Sequence, residues 1–318
     1  MLAIQFSDIQ TAAGRIAPWA HRTPVLTSKT LDRETGKRIY LKCENFQVGG
    51  AFKFRGACNF VFSLTPEELS RGVLAYSSGN HAQAVALAAA RAGAKATVVM
   101  PSDAPRAKMA ATAGAGATIV SYDRLKEDRE EICRELAGKS GSAVIPPYDH
   151  PLTIAGQGTT ALELLAEVPG LDAIVACTGG GGLLGGCCVA AKGINPAIRM
   201  FGAEPELADD VWQSLQKGER VSIPPSLTIA DGLRTPSPGK LTFPILQQHV
   251  EQIALISEDE IRAAVRFCLE RLKIVVEPSG AVGVAAALFG KLPADVATVG
   301  IVISGGNVDL DQLAEICR

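Results

Sequence analysis

The chain has 318 residues, 47% of them hydrophobic, and a formal net charge of −2 at pH 7. That length supports one large domain or two modest ones, and the near-neutral charge excludes a nucleic-acid surface or an acidic tail. No basic head with an apolar core opens the chain, and the longest small-apolar run, Gly280–Phe289, is too short to cross a bilayer, so a cytoplasmic protein without membrane association is expected.

In chain order, Phe6–Ala17 has the helical spacing Phe6, Ile9, Ala13, Ile16, and His21–Pro24 stops it. Ile39–Cys43 alternates and is β-prone. Two glycines then precede Ala51-Phe52-Lys53-Phe54, at the start of a helix through Phe62. A lysine between aromatics can snorkel from a surface helix. If it is held in apolar surroundings instead, its neutral amine is favoured and can form a Schiff base. Gly72–Ser77 is a second β run, closed by Ser77-Ser78-Gly79-Asn80-His81 and an Ala-rich helix, Ala82–Ala92. Strands at Ala96–Met100 and Thr118–Val120 alternate with helices at Ala104–Ala113 and Arg124–Ala137, the pattern of a parallel α/β layer. Pro146–Pro151 reads as a rigid link, and Ala155–Thr159 leads into a helix over Thr160–Val168. A strand at Arg199–Ala203 and a helix at Val211–Lys217 follow; Ser226–Thr235 is a functional loop or a solvated turn. Helices are predicted at Glu258–Leu272 and Ser279–Phe289, and a last strand at Val299–Ile303 ends in Ser304-Gly-Gly-Asn307. Eight cysteines with no CxxC pair read as reduced thiols, and four scattered histidines argue against zinc.

The organising stretch is Asp172–Cys188. The β-prone run Ala173–Cys177 breaks into Gly179–Gly182, and a small-residue helix pattern, Leu183–Lys192, follows at once. Glycine permits positive φ and close ligand approach, and a helix start presents free N–H groups, so the order forms an anion site. Gly180, Gly182 and Gly185 also satisfy the dinucleotide fingerprint, with Glu204 as its acidic partner. Taken alone, the stretch leaves both phosphate ligands open, and an unliganded turn as well. Three strands end in Ser, Gly or Asn, and ligands in open α/β sheets sit beyond carboxyl strand ends, so one pocket is expected.

Taken together, ENFQ…GAFKFRGA, SSGNHAQA, AGQGT, GGGGLLGG, AEP…ADD, ADG and SGGNVD, in that order, resemble the fold type II pyridoxal-phosphate (PLP) enzymes of tryptophan-synthase-β-like fold. The nearest branch is that of serine/threonine dehydratases, serine racemases and 3-hydroxyaspartate dehydratases, and the resemblance spans nearly the whole chain. It implies two open twisted α/β domains with the active site between them: a large discontinuous domain, residues 1–66 and 149–318, and a small one, residues 67–148. It implies Lys53 as the cofactor-bearing lysine, Phe52 beside the ring, Asn80 on the ring 3′-oxygen, Ser304 at the pyridine nitrogen, and Gly179, Gly180, Gly181 and Gly182 around the phosphate. Ser77, Ser78, Asn80 and His81 would surround the substrate carboxylate, with Arg129 closing on substrate and Thr235 nearby. Ser78 would be a second proton carrier opposite Lys53. Glu204, Asp210 and the carbonyl of Ala208 match a divalent-cation site; oxygen ligands suit Mg²⁺, with Ca²⁺ and Mn²⁺ as alternatives. A capped helix start also accounts for that acidic loop.

The implied activity is ammonia-lyase (dehydratase) chemistry on serine, threonine or 3-hydroxyaspartate; serine racemisation and β-replacement are alternatives, and a homodimer is expected. A hydroxyl at position 304 favours β-elimination over transamination. Gly50 and Ala51 stand where the family often has Gly-Ser before Phe-Lys, a variant nearer to serine racemases and 3-hydroxyaspartate dehydratases. The chain ends soon after SGGNVD, so isoleucine feedback is not expected.

Overall fold

The computed structural model describes every residue except Met1, Ser78, Pro105, Arg124 and Leu125, and leaves out the side chains of Arg106, Ala107 and Lys108. The first elements are α1 (Phe6–Ile16), β1 (Val25–Thr27), α2 (Lys29–Thr35), β2 (Arg38–Cys43), α3 (Lys53–Val61) and α4 (Pro66–Arg71). Then come β3 (Val73–Tyr76), α5 (Asn80–Arg91), β4 (Ala96–Pro101), α6 (Arg106–Gly114), β5 (Thr118–Tyr122), α7 (Arg129–Ser140) and β6 (Ala143–Val144). The remainder is α8 (Pro151–Glu167), β7 (Ala173–Cys177), α9 (Gly182–Ile194), β8 (Arg199–Pro205), α10 (Asp210–Lys217), α11 (Thr242–His249), β9 (Gln252–Ile256), α12 (Glu258–Phe267), α13 (Pro278–Leu288), β10 (Thr298–Ile303) and α14 (Leu310–Ile316).

Two sheets result. One has the order β1-β2-β10-β7-β8-β9, parallel apart from the β1–β2 pair; the other is parallel throughout, β5-β4-β3-β6. Parallel strands need helical crossovers that cover both faces, so their residues read as unbroken apolar runs. β7 (AIVAC) is buried along its whole length for this reason. The larger core joins β2, β7, β8 and β10 to α8, α9 and α13, and a separate cluster packs α3 and α5 on β3.

The fold corrects several boundaries. Residues 155–159 do not lead into a helix; they lie inside α8, which starts at Pro151 with the His150 ring nitrogen accepting from the Leu152 N–H at 3.2 Å. The glycines there serve packing. A Cβ at Gly156 would stand 2.5 Å from the Arg55 carbonyl oxygen, and one at Gly158 would stand 2.6 Å from that of Gly186. Removing those side chains lets α8 press against α3 and α9, backbone to backbone. The predicted helix over 124–137 begins outside the described residues and is found at Arg129–Ser140, because Asp128 accepts from the N–H groups of Glu130 and Glu131 and sets its start. The helix at 258–272 is α-helical only to Phe267 and then widens into a π turn. Strands β1, β6 and β9 and helices α2, α4, α11 and α14 have no counterpart in the sequence reading; most are too short to show a period.

Candidate active site

The carboxyl ends of β3, β7 and β10 face one cleft between the sheets. Its walls include Phe52, Lys53, Ser77, Asn80, His81, Arg129, Gly179–Gly182, Thr235 and Ser304. Every described cofactor and substrate residue of the sequence reading therefore borders the same cleft; Ser78 lies outside the described residues.

Lys53 is delivered by a tight local construction. Gly49 and Gly50 take positive φ (70° and 71°), and a Cβ at Gly50 would meet the Asn307 side-chain oxygen at 2.4 Å, so only glycine fits. Ala51 then bridges Gly305, and the Phe52 N–H donates to the Ser304 carbonyl at 3.0 Å, pinning the start of α3 to the end of β10. The Lys53 amine donates to the Pro147 carbonyl at 2.8 Å and sits 5.1 Å from the centre of the Phe52 ring. Burial pushes its pKa down to about 8, opposed by Cys177 and Glu277. The snorkelling alternative fails, since the amine points into the cleft. Beneath α3, Arg55 pairs with Glu44 and Glu163, and Lys42 also binds Glu163, all buried or nearly so.

The glycine turn is a cradle open to the cleft. Gly181 has φ +88° and starts α9 without any side-chain cap, so the first helical N–H groups keep no capping partner. The Gly180 carbonyl is turned away, accepting from the Thr242 hydroxyl at 2.6 Å and the Gly239 N–H at 3.1 Å. A Cβ at Gly180 would lie 2.4 Å from the Tyr148 ring. The Thr235 hydroxyl, 3.0 Å from where a Gly179 Cβ would sit, is buried with no hydrogen-bond partner. An uncapped helix start, a side-chain-free turn and an unsatisfied hydroxyl suit a phosphate.

On the opposite wall, the Asn80 amide donates to Glu277 at 2.8 Å, and its oxygen accepts from Asn307 at 2.9 Å. The His81 Nε2 lies 2.7 Å from the Ile145 carbonyl, which only accepts, so Nε2 carries the hydrogen. Its Nδ1 is buried and unpartnered, and burial beside Lys53 pulls the pKa down to about 3. The ring is neutral and offers no donor to the cleft. Any anion contact from His81 must come from its main chain at the start of α5. Ser304 is buried and donates to the Ser279 carbonyl at 3.4 Å. Cys177 lines the cleft beside it, its thiol pushed up to about 11 by burial and partly eased by a hydrogen bond with Ser304.

Several wall residues escaped the sequence reading: Tyr148 and Pro147, Cys177, Asp231, Glu277 and Ser279; Arg234, which the sequence offers with Arg129 as a cation for a second substrate carboxylate, also lines the cleft. Tyr148 was concealed by prolines that made its segment look like a plain link. Glu277 precedes a helix start, Pro278-Ser279-Gly280, but the apolar run before it, 274–276, is three residues long and forms no strand.

Glu204 and Asp210 are not among the residues lining the cleft; they stand at the end of β8 and the start of α10. Both are buried. Glu204 accepts from the Trp212 N–H at 2.7 Å with one oxygen, but its other oxygen and both oxygens of Asp210 have no partner. Burial pushes Asp210 up to about 8 and Glu204 well above the carboxylate range. Among the described residues, no group of three or more His, Cys, Asp or Glu side chains is arranged to hold a metal.

Residues 16–305 match the family described as pyridoxal-phosphate dependent enzyme. The chain belongs to this family. It is 49% identical to the L-threo-3-hydroxyaspartate ammonia-lyase of Saccharomyces cerevisiae over 316 residues, covering 99% of this chain and 97% of that protein. It is 47% identical to the serine racemase of Schizosaccharomyces pombe, covering 97% and 96%. Among solved structures, maize serine racemase superposes with a TM-score of 0.95 at 44% identity, covering 98% and 96% of the two chains. The dinucleotide reading of the glycine turn is thereby set aside, and the fold is fold type II. No helix among the described residues is long and apolar enough to cross a membrane.

Proposed function

We propose that this PLP-dependent enzyme is an ammonia-lyase of β-hydroxy-α-amino acids, removing water and then ammonia to leave a 2-oxo acid, with 3-hydroxyaspartate the foremost substrate. The observation that carries the reading is the buried Lys53 amine, held in a cleft whose far wall is an uncapped glycine turn. The substrate preference rests on Arg129 and Arg234, two cations lining the cleft that suit a second carboxylate, and on the 49% identical relative named for that substrate.

The residues present fit the cofactor: Lys53 to carry it, Gly179–Gly182 and Thr235 for its phosphate, Asn80 for the ring oxygen and Ser304 for the ring nitrogen. When bound, the cofactor supplies an electron sink for the charge left at Cα after proton removal. A pKa of about 8 leaves part of the Lys53 amine neutral at physiological pH, able to take that proton. Ser304 is a hydroxyl and cannot hold the ring nitrogen protonated as a carboxylate would, which favours loss of the β-substituent. The N-terminus of α5, with Ser77 and the main chain of Asn80 and His81, would bind the α-carboxylate. Loss of the substrate hydroxyl calls for a proton donor, chemistry that the cofactor's phosphate would supply, with Gly179–Gly182 and Thr235 as the residues that would hold it.

A divalent cation, Mg²⁺ with Ca²⁺ or Mn²⁺ as alternatives, would be held by Glu204, Asp210 and the Ala208 carbonyl. The support is a set of buried carboxylate oxygens lacking partners, which hard cations satisfy. We assign the two sheets to a small domain of residues 67–148 and a large one of residues 1–66 and 149–318, the cleft lying between. A homodimer in the cytoplasm is part of the same reading.

Serine racemisation is the second reading, favoured by the 47% identical yeast relative; Ser78 would be its second proton carrier. Ammonia release from serine, threonine and both 3-hydroxyaspartate diastereomers, with chiral analysis of residual serine, tests both. Ammonia production fastest with a 3-hydroxyaspartate supports the proposal. D-serine forming faster than any 2-oxo acid would replace it with the racemase.

A further inference from the structure

The strap between β6 and α8 touches both Lys53 and the glycine turn. Pro147 offers its carbonyl to Lys53, and the Tyr148 ring covers Gly180. The next residue, Asp149, faces away from the cleft, and its contacts are the unexplained ones. One carboxylate oxygen accepts from the Leu241 N–H at 2.8 Å and the Thr242 N–H at 3.3 Å, and the other accepts from the Lys240 N–H at 2.9 Å. These are three consecutive amides at the start of α11, whose own N-cap position, Leu241, supplies no side-chain cap. A carboxylate there satisfies orphan donors and meets the positive end of the helix. A Cβ at Gly239 would stand 2.2 Å from the same carboxylate, so the approach is as close as glycine allows.

What α11 does with that anchorage concerns the glycine turn. Its first residue, Thr242, gives its hydroxyl to the Gly180 carbonyl, and Gly239 gives its N–H to the same oxygen. In a trans peptide the carbonyl and the following N–H point in opposite directions. Holding the Gly180 carbonyl towards α11 therefore turns the Gly181 N–H to the other side. A peptide flanked by glycines on both sides rotates readily, so without the two bonds this amide would have no fixed direction.

We propose that Asp149 is a positioning residue: by capping α11 it holds Thr242 and Gly239 on the Gly180 carbonyl, and so sets the direction in which the glycine turn presents its amides to the cofactor's phosphate. The proposal rests on the reading of that turn as the phosphate site. Asp149 touches neither cofactor nor substrate; its effect passes through three backbone amides and one threonine hydroxyl.

The test uses the full chain, stripped of cofactor with a competing amine and titrated with PLP or with pyridoxal, which lacks the phosphate. Asp149→Ala is expected to weaken PLP binding by about tenfold, the scale of one or two lost hydrogen bonds, while pyridoxal binding stays within about twofold of wild type. Thr242→Val, which removes only the last link, should reproduce the selective loss in smaller measure. Asp149→Asn, which keeps an acceptor for Leu241 and Thr242, should recover most of the preference. If Asp149→Ala and Thr242→Val keep the wild-type ratio of the two affinities, or lose both ligands equally, the proposal is wrong and the cap is only structural. Wild-type protein that binds pyridoxal as tightly as PLP would remove the phosphate reading, and the proposal with it.

Discussion

Covalent loading of the enzyme should follow the ionisation of one buried amine. Only neutral Lys53 attacks an aldehyde, and burial lowers its pKa from 10.5 to about 8. At pH 7 the neutral fraction is then about 9%, against about 0.03% for an exposed lysine, a gain of roughly 300-fold. The rate of cofactor attachment to stripped protein, followed by visible absorbance from pH 6 to 10, should rise about tenfold per pH unit up to about 8 and level off beyond it. Glu277 raises the Lys53 pKa by its charge. Glu277→Gln should therefore move the plateau to lower pH, the opposite of a general weakening of the site. A rate still climbing tenfold per unit at pH 9 to 10 would refute the argument, because it would mean the amine is solvated like any other.

The same burial has a stability cost. Below pH 8 the amine is charged in both states but desolvated only in the fold, and between about pH 8 and 10.5 the unfolded chain alone stays protonated, so stability rises with pH there. Lys53→Met should then stabilise the stripped protein at pH 7 by up to about 3 kcal/mol in urea unfolding, the gain fading above pH 10. Mg²⁺ should raise the melting temperature of wild-type protein, by about 2.7 kcal/mol of added stability at a hundred times its dissociation constant, and Asp210→Asn should abolish the increment. Gly186→Ala would set a Cβ 2.4 Å from the Ile154 carbonyl oxygen; overpacking against backbone should cost at least about 3 kcal/mol and lower the yield of folded protein. Replacing Arg129 and Arg234 together with methionine should cut kcat/KM for 3-hydroxyaspartate at least tenfold more than for serine, about the worth of one charge-assisted hydrogen bond. Equal losses on both substrates would detach the arginines from the second carboxylate.

Legibility in the sequence followed the range of the forces at work. The glycine turn, the Ser77–His81 turn and the Ser304 turn were readable because each is local: a strand stops, small residues follow, and a helix starts. Parallel α/β order then required their carboxyl ends to lie on one side, and the described members of all three do line one cleft. Residues 155–159 misled because a pair of glycines looks alike at a turn and at a helix crossing. Their purpose is set by Gly56 and Gly186, about a hundred and thirty positions apart, and no local pattern carries that contact. His81 shows a third kind of limit: its position in the cleft was readable, but the tautomer that leaves it without a donor depends on the Ile145 carbonyl, which arrives from another strand end.

The strap at 146–150 draws these strands together. Its prolines make it read as a passive link, yet three consecutive residues, Pro147, Tyr148 and Asp149, are each committed to a different element: a carbonyl to Lys53, a ring to Gly180, a carboxylate to α11. A segment joining two sheets is the one place where both walls of a cleft can be set by consecutive residues. Their contacts lie 32 to 94 positions away in sequence for Lys53, Gly180 and Leu241, so composition shows only that the strap is stiff. Stiffness is what such a role requires, because a fixed backbone loses little entropy when it holds three partners at once. A rigid crossover beside a glycine turn is therefore itself a reason to look for residues that align a ligand, before any of its contacts are known.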